Sequence, residues 1–506
     1  MQPVTFRSCP DCLPHPFGRD DQPGTHPRPP PREGAQVLVT LQGSNRRSFL
    51  RRGAAAAGGG FASSAVEGLA VRAARAEDGR RARTAPGNGG YGPLRELTRL
   101  DPASGFSQTL RLPEGFDFAV CSVAGAPLAD GSATPPAHGG LACFPTGRRG
   151  EWRLVRGHGA VGVPDAAPED AKHRYDPLAS GGTTTLAVSW KDGEFALEAA
   201  RRSLSGAVAT RSGGPTPWGS WLACEESAAG TAAGWEAPHG YVFEVPSAAD
   251  EESEPLPLKE LGRFVHAGAA VDPRTGAVYL TEDQHSAGFY RFVPDAPGRL
   301  AEGGRLQMLK FAGEWNADAR SGRRAGRSVY VEWVDIDDPD PAGAEADPYA
   351  VFDQGWARGA AVFGRLQGCF AADGAVYAAS VSGGDEGEGQ LWELRPRGLR
   401  GGTLKLVFES PDAALLPFPE AIAPSPAGSL VLCEGTGREA PVLRGLTREG
   451  EVFDLAGHDG AAVWSGAAFS PDGAVLFANL RGSARGDRAE PGRTVAIWGP
   501  WRKGVL

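Results

Sequence analysis

The segment AFSPDGAVLFA (Ala468–Ala478) consists of two alternating apolar runs separated by a Pro-Asp-Gly turn. Such an interrupted alternation is the pattern of a β-hairpin. The pattern recurs upstream in AVDPRTGAVYL (Ala270–Leu280), CFAADGAVYAA (Cys369–Ala379) and IAPSPAGSLVL (Ile422–Leu432). Successive copies are separated by one or two lengths of a β-propeller blade, which is about 40–50 residues. The sequence therefore predicts an all-β fold that consists of a single β-propeller.

Composition supports many short strands joined by long loops. The 506 residues include 72 glycines and 42 prolines, and helical periodicity is scarce. Strand patterns continue from about residue 101 to the end, so we expect one propeller domain over 101–506. Its length accommodates six blades, or seven as the alternative, with loop insertions above one face. We expect the strand Thr494–Trp498 to pair with the earliest strands and close the ring, which removes open sheet edges.

The first hundred residues carry targeting information rather than a folding pattern. Residues 1–44 are rich in proline and arginine and lack an apolar period, which indicates a disordered extension or a stretch that precedes the true start codon. The run NRRSFLR (Asn45–Arg51) has the form of a twin-arginine export signal, and Ala74–Ala76 provides a small-residue cleavage site. We therefore assign 45–76 to a signal peptide and 77–100 to a linker. The mature protein is expected outside the cytoplasm, in the periplasm or the extracellular space, without a transmembrane segment.

The charge balance restricts the classes of partner. The net charge is −9, and ten arginines lie in residues 1–76, so the remaining chain is distinctly acidic. An acidic body disfavours nonspecific nucleic-acid binding, which requires basic surface to neutralise phosphates. Carboxylates are the preferred ligands of divalent cations, so acidity is compatible with a metal site. We expect a monomer that takes a small-molecule ligand.

Several blocks of sequence together resemble the PhoX-type alkaline phosphatases, an exported β-propeller family. The most distinctive block is TPWGSWLACEE (Thr216–Glu226), and the similarity extends from about Leu112 to Trp501. The resemblance implies a six-bladed propeller that holds calcium and iron, as Ca²⁺ and Fe³⁺, at the mouth of its channel. It also implies that phosphate esters of small substrates are hydrolysed at this mouth. The other matching blocks are Tyr175–Leu186, Gly262–Pro273, Tyr279–Asp283, Phe289–Pro294, Trp333–Asp340, Ser465–Gly473 and Trp498–Trp501.

The chain departs from the family pattern where that pattern has metal-binding side chains. A hard-cation cluster needs several anionic oxygen ligands, so we expect the metal dependence to be altered or lost. The departures are Gly139 for Asp, Gly157 for Asn, Gly159 for Glu, Ala267 for Glu, Gln367 for Glu, Glu420-Ala421 for Asp-Asn, and Val463 for a carboxylate.

The surviving polar residues supply the candidate site. Glu225 and Glu226 are candidate metal ligands, and only one of them can face the channel because adjacent strand residues point to opposite faces. Arg365 is the candidate catalytic residue, since a guanidinium can bind a phosphate with two hydrogen bonds. Imidazoles could replace the lost carboxylates around a transition metal; the candidates are His138, His158 and His266.

Each candidate also has a purely structural interpretation. Either glutamate could form a salt bridge at a strand end, the arginine could form an ion pair, and the histidines could be hydrogen-bonded core residues. The sequence thus leaves two functions open: a PhoX-like hydrolase of phosphate esters, or a non-catalytic propeller that binds a ligand or protein partner on the same face. A lactonase-like or quinoprotein propeller rests on architecture alone.

Overall fold

The computed structural model describes residues 83–101, 104–159, 164, 171–435, 441–483 and 490–506. The predicted N-terminal extension and signal peptide lie outside these residues. The described chain is almost entirely β-structure, with one short α-helix. None of its helices is long and apolar enough to cross a membrane.

The strands fall into groups of three to five that follow one another along the chain. Before the first complete group lie β1 (Arg83–Thr84), β2 (Leu94–Leu100), β3 (Ser107–Pro113) and β4 (Asp117–Val123). Blade I contains β5 (His138–Pro145), β6 (Glu151–His158), β7 (Gly181–Lys191) and β8 (Glu194–Ala207). Blade II contains β9 (Ser212–Pro215), β10 (Ser220–Cys224) and β11 (Val242–Pro246). Blade III contains β12 (His266–Val271), β13 (Val278–Glu282), β14 (Phe289–Pro294), β15 (Gly304–Phe311) and β16 (Ser328–Asp335).

The second half of the chain continues this arrangement after the helix α1 (Ala350–Trp356). Blade IV contains β17 (Leu366–Ala372), β18 (Ala375–Ser380), β19 (Gln390–Pro396) and β20 (Gly402–Glu409). Blade V contains β21 (Pro419–Pro424), β22 (Leu430–Glu434), β23 (Val442–Leu446) and β24 (Glu451–Gly457). Blade VI contains β25 (Val463–Phe469), β26 (Val475–Arg481) and β27 (Arg493–Trp498). Single turns of 3-10 helix occur at Pro86–Asn88, Thr231–Ala233, Lys259–Leu261, Leu300–Glu302 and Trp501–Lys503.

The first strand of each blade lies at the centre of the molecule. These inner strands contact one another in the cyclic order β5, β9, β12, β17, β21, β25 and back to β5. Within each blade the later strands pair antiparallel, outward from the inner one. The fold is therefore a six-bladed β-propeller, which confirms the predicted class and the smaller of the two predicted blade numbers. The four hairpin segments of the sequence are the first two strands of blades III to VI.

An N-terminal strand and the C-terminal strand pair in blade VI. Strand β4 pairs antiparallel with β27, which confirms the predicted closure. Aromatic side chains reinforce it: the Phe116 ring lies edge-on to Tyr91 at 5.3 Å and to Trp501 at 4.7 Å between centroids. The backbone N–H of Leu506 donates to the Tyr91 hydroxyl at 3.0 Å. An N-terminal strand thus completes the sheet of the last blade and ties the two ends of the ring together.

Outer strands join neighbouring sheets. Strand β16 of blade III pairs with β20 of blade IV, so these two blades share a nine-stranded sheet. Strand β24 of blade V pairs with β1 and with β3, which in turn pairs with β2. Both β1 and β2 lie within residues 77–100, so part of the predicted linker contributes to the sheet of blade V.

Candidate functional site

The open ends of the six inner hairpins lie at one end of the channel. There the inner strand of each blade begins and its antiparallel neighbour ends. A hydrogen bond between these ends recurs in five blades. Its donor is the N–H of the first residue after the second strand (the second residue in blade II), and its acceptor is a carbonyl one residue before the inner strand (three residues before it in blade II). The pairs are Gly159 to Ala137 at 2.9 Å, Glu226 to Ala209 at 3.2 Å, Asp283 to Val265 at 3.0 Å, Val381 to Arg365 at 2.8 Å and Gly435 to Phe418 at 2.8 Å.

This repeated hydrogen bond makes the five donor positions structurally equivalent. Two of them carry carboxylates, Glu226 in blade II and Asp283 in blade III. Four of the five acceptor residues have the left-handed backbone conformation that non-glycine residues rarely adopt: Ala137 at φ 53°, Ala209 at 52°, Arg365 at 42° and Phe418 at 44°. Backbone strain of this kind concentrates at functional sites, so this end of the channel is the candidate site.

Three arginine–carboxylate pairs lie around this end. The Arg365 guanidinium donates two hydrogen bonds to the Asp283 carboxylate, at 2.8 and 3.1 Å, and the Gln367 amide donates to the same carboxylate at 2.8 Å. The other two pairs are longer, Arg211–Glu226 at 3.6 Å and Arg481–Glu420 at 3.5 Å. We call these six charged residues and Gln367 the mouth cluster. Its arginines come from blades II, IV and VI.

The charges of the mouth cluster act on one another across blades. Glu226 has a side chain that is 7 % exposed. Burial raises its pKa to about 8, and the negative charges of Asp283 and Glu420 act in the same direction. The positive charges of Arg211 and Arg481 lower this pKa without offsetting the burial. At neutral pH Glu226 is thus mostly protonated.

Arg211 lies against two glycines of blade I, with its side chain beside Gly159 and its backbone beside Gly139. A Cβ atom built on Gly159 would lie 2.1 Å from the Cγ atom of Arg211, and one built on Gly139 would lie 2.5 Å from the Arg211 carbonyl oxygen. Both distances are well inside van der Waals contact. Any side chain at these two positions would therefore displace Arg211.

A family profile described as alkaline phosphatase PhoX matches residues 90–482. The chain belongs to the PhoX alkaline phosphatase family. The structure of Pseudomonas fluorescens PhoX in complex with vanadate, a transition state analogue, aligns with a TM-score of 0.62 at 16 % identity, covering 84 % of this chain and 99 % of that one. No curated protein matches the chain in sequence.

Two further structures align less closely. A gluconolactonase from Xanthomonas campestris gives a TM-score of 0.34 at 13 % identity, covering 83 % of this chain and 98 % of that one. The WD40 β-propeller domain of Doa1 gives 0.35 at 10 % identity, covering 76 % of this chain and 99 % of that one. The family assignment therefore rests on the PhoX profile.

Glu225, adjacent to Glu226, points away from the mouth of this PhoX-family propeller. Its carboxylate is fully buried and forms a hydrogen bond with the Nδ1 atom of His239 at 2.7 Å. It also accepts backbone N–H groups from Val208, Gly240 and Tyr241 at 2.8 to 3.1 Å. The opposite ring nitrogen of His239 lies 3.3 Å from the buried Asp176 carboxylate. These contacts give Glu225 a complete structural environment, and its proposed role as a metal ligand stays a prediction.

The three candidate histidines are buried in two separate blades. His138 and His158 are cross-strand partners in blade I, with ring centroids 5.1 Å apart. The buried Arg156 guanidinium lies 3.2 Å from the Nδ1 atom of His138. His158 contacts the Pro136 carbonyl at 3.1 Å and the Thr184 hydroxyl at 2.8 Å. Burial, followed by the charge of Arg156, lowers the pKa of His158 to about 3 and also lowers that of His138.

His266 lies in blade III, against aromatic rings. Its ring is 3.7 Å from that of Phe264, and its Nε2 atom contacts the Gly262 carbonyl at 2.9 Å. Burial lowers its pKa to about 4. The structure thus brings His138 and His158 together but gives His266 separate surroundings, and all three are neutral at pH 7.

The donor set does not fit the cluster of several metal ions that the family resemblance implies. The described residues contain no group of three or more His, Cys, Asp or Glu side chains placed to hold a metal ion. The remaining carboxylates of the mouth face guanidinium groups, which already compensate their charge. Two buried ring nitrogens lack a hydrogen-bond partner among the described residues, His138 Nε2 and His266 Nδ1, and they lie in different blades.

Arg211 and Arg481 are not among the site residues that the sequence suggests. Arg211 lies immediately before inner strand β9, in the same position as Arg365 before β17. Arg481 is the last residue of β26, as Glu282 is the last residue of β13. The signal that could have found them is therefore the position of a charge at the open end of a hairpin. The arginines lie far apart in sequence, and only their placement in the ring relates them.

Proposed function

We propose that this PhoX-family protein binds the phosphate group of a small phosphate ester at the mouth cluster and hydrolyses the ester outside the cytoplasm. The observation that carries the proposal is the presence of three guanidiniums, from Arg211, Arg365 and Arg481, at one end of the channel. Guanidinium groups bind phosphate oxygens with paired, charge-assisted hydrogen bonds. The mouth is partly solvated: the side chains of Arg365 and Arg211 are 42 % and 30 % exposed.

The charge of the mouth favours an anion. With Glu226 protonated, the mouth cluster contains three guanidiniums and two further carboxyl groups, those of Asp283 and Glu420. An incoming phosphate could accept hydrogen bonds from Arg365 in place of those now made to Asp283. The same guanidiniums would stabilise the negative charge that develops as the P–O bond breaks.

The protonated Glu226 supplies the acid that the reaction needs. Its proton would pass to the ester oxygen as that oxygen leaves phosphorus, while a water molecule forms the new P–O bond. The proton lost by the attacking water then returns to the Glu226 carboxylate. The products are an alcohol and inorganic phosphate, and the enzyme is restored.

The location follows the family and the N-terminal sequence. PhoX-family phosphatases are secreted proteins, and the twin-arginine motif at Asn45–Arg51 would direct this chain through the export route for folded proteins. Calcium and iron, the ions implied by the resemblance, would have a reduced or altered role here. The monomeric state stays a prediction.

A non-catalytic phosphate receptor is the second candidate. The specific observation that favours it is the replacement of carboxylates by Gly139, Gly159 and Ala267 in a family of metal-dependent phosphatases. The same mouth cluster would then bind a phosphorylated ligand without turnover.

Calorimetric titration of the metal-depleted full chain with inorganic phosphate and with vanadate tests the binding site. Vanadate is the second probe because the P. fluorescens PhoX binds it as a transition state analogue. Arg365→Gln and Arg211→Gln should each weaken binding about 10-fold to 100-fold, the effect of losing one charged hydrogen-bonding group. The matched control is Arg395→Gln, which removes an arginine paired with Glu393 on β19, away from the mouth.

Turnover of p-nitrophenyl phosphate, measured with chelator and then with added Ca²⁺ and Fe³⁺, separates the two candidate functions. Turnover that is lost in Arg365→Gln but retained in Arg395→Gln supports hydrolysis at the mouth. Phosphate binding without turnover under either condition supports the receptor. Absence of binding to both phosphate and vanadate overturns the proposal.

A further inference from the structure

A second feature of the channel lies directly below the mouth cluster. It is a cavity of about 440 Å³ that is lined by residues of all six inner strands. This volume is within the range of about 300–1,000 Å³ that is usual for small-molecule sites. The cavity is therefore large enough to hold part of a ligand.

The lining of this cavity is uncharged and mostly apolar, with Ser212 and Thr216 as its hydroxyl-bearing residues. None of the described residues that form it is charged, and its larger side chains are Leu141, Trp221, Val271, Phe370, Ile422 and Phe469. Much of the remaining wall is glycine and alanine, and the glycines let the inner strands approach one another closely. Water in such a space finds few hydrogen-bond partners, so an apolar group gains by replacing it.

The cavity begins where the mouth cluster ends. Its uppermost residues on three inner strands are Ser212, Gly368 and Ala421. Each of these immediately follows a member of the mouth cluster, namely Arg211, Gln367 and Glu420. The cavity therefore adjoins the mouth cluster along three inner strands, and it extends to the turns at the opposite end of the channel, where Thr216, Pro217 and Pro273 line it.

We propose that the phosphate ester recognised by this protein carries an apolar alkyl or aryl group, which binds in the central cavity while the mouth cluster holds the phosphate. This inference rests on the proposed function, since it assigns the phosphate to the mouth. It adds the substrate class: amphiphilic phosphate esters are preferred over esters of polar alcohols. The preference comes from burial of apolar surface in the cavity, where the described wall offers no charged side chain to a polar alcohol.

The expected size of the preference follows from methylene burial. Each methylene group that leaves water for an apolar site improves binding by up to about fourfold. Affinity should therefore rise in steps from ethyl phosphate through butyl to octyl phosphate, until the chain fills the cavity. Inorganic phosphate reports on the mouth alone and is the reference for every protein variant.

The test measures the affinities of these four compounds for the full chain by calorimetry, with octyl phosphate below its micelle-forming concentration. Ala371→Leu and Ala467→Leu narrow the cavity from two different blades, at partly exposed positions of its wall. Both variants should bind inorganic phosphate normally and lose most of the gain on going from ethyl to octyl phosphate. Ala187→Leu is the matched control, because Ala187 is partly exposed on β7 outside the channel, and it should keep the full gain.

The outcomes separate this inference from the proposed function. Equal affinity for ethyl and octyl phosphate, with inorganic phosphate still bound, overturns the inference and leaves the phosphate site intact. A chain-length gain that persists in both narrowed variants also overturns it, since the alkyl chain would then bind elsewhere. Failure to bind inorganic phosphate overturns the proposed function itself. Two narrowed variants are used so that misfolding of one does not prevent a decision.

Discussion

Replacing Glu226 by glutamine should make the protein more stable at alkaline pH and leave its stability almost unchanged at acidic pH. In the native structure, burial raises the pKa of Glu226 to about 8 from an ordinary value of 4.5. The folded state therefore binds this proton more tightly than the unfolded chain does. The stability associated with the bound proton is complete below about pH 4.5 and is lost as the pH rises to about 8.

The magnitude follows from the size of the pKa change. Each unit of pKa difference between the folded and unfolded states corresponds to ~1.4 kcal/mol. The shift at Glu226 therefore lowers the free energy of unfolding by on the order of 4 kcal/mol between acidic and alkaline pH. The neutral amide of Glu226→Gln has no such loss. The buried Glu282, whose pKa is also raised to about 8, and the histidines are present in both proteins, so their contributions cancel in the difference.

The assay is urea unfolding followed by tryptophan fluorescence at about pH 5 and about pH 9, which bracket the transition. Glu226→Gln should equal the natural protein within ~1 kcal/mol at the acidic pH and exceed it by ~3–4 kcal/mol at the alkaline pH. Glu332→Gln, an exposed substitution on β16, is the control and should change stability by less than ~0.5 kcal/mol at both. A constant difference between Glu226→Gln and the natural protein at the two pH values would refute the reasoning.

Three further outcomes are expected. Glu225→Ala should lower the free energy of unfolding by ~3–5 kcal/mol, because the buried His239 then keeps Asp176 as its one carboxylate partner. An unchanged urea midpoint would contradict the structural role of Glu225. Gly159→Ala should lower the free energy of unfolding by ~1–3 kcal/mol, because the added methyl group contacts Arg211. Adding Arg211→Ala to the same chain should restore most of the lost stability, and additive effects in this double-mutant cycle would disprove the contact. Dialysis against EDTA should leave the thermal unfolding midpoint unchanged, since no metal-ligating group of three or more occurs among the described residues; a fall of several degrees would show a structural metal.

The fold was predictable because its pattern is local. The hairpin segments carry a period-two alternation and a turn within eleven residues, and those of blades III to VI form as the sequence predicts. Once a repeat length near that of a blade is recognised, the ring architecture follows. The sequence did not predict that β1 and β2 contribute to the propeller. Short strands in a polar, arginine-rich stretch have little hydrophobic alternation to detect.

The candidate site was predictable only in part. The sequence indicates Arg365 and one of two adjacent glutamates, and it explains why only one of them can face the channel. The choice of Glu226 required the hydrogen bond that makes it equivalent to Asp283 in the next blade. The roles of both residues in binding or catalysis stay predictions until they are tested.

The sequence alone determined the hairpins, the blade length and the family, because alternation, turn residues and ordered motifs are properties of neighbouring residues. Only the tertiary structure decided which charges meet. Closing six blades into a ring brings Arg211, Arg365 and Arg481 to one mouth and pairs each with a carboxylate, although they are separated by more than a hundred residues along the chain. The physical reason is that electrostatic interaction depends on distance in space, and that distance is set by the closure of the ring.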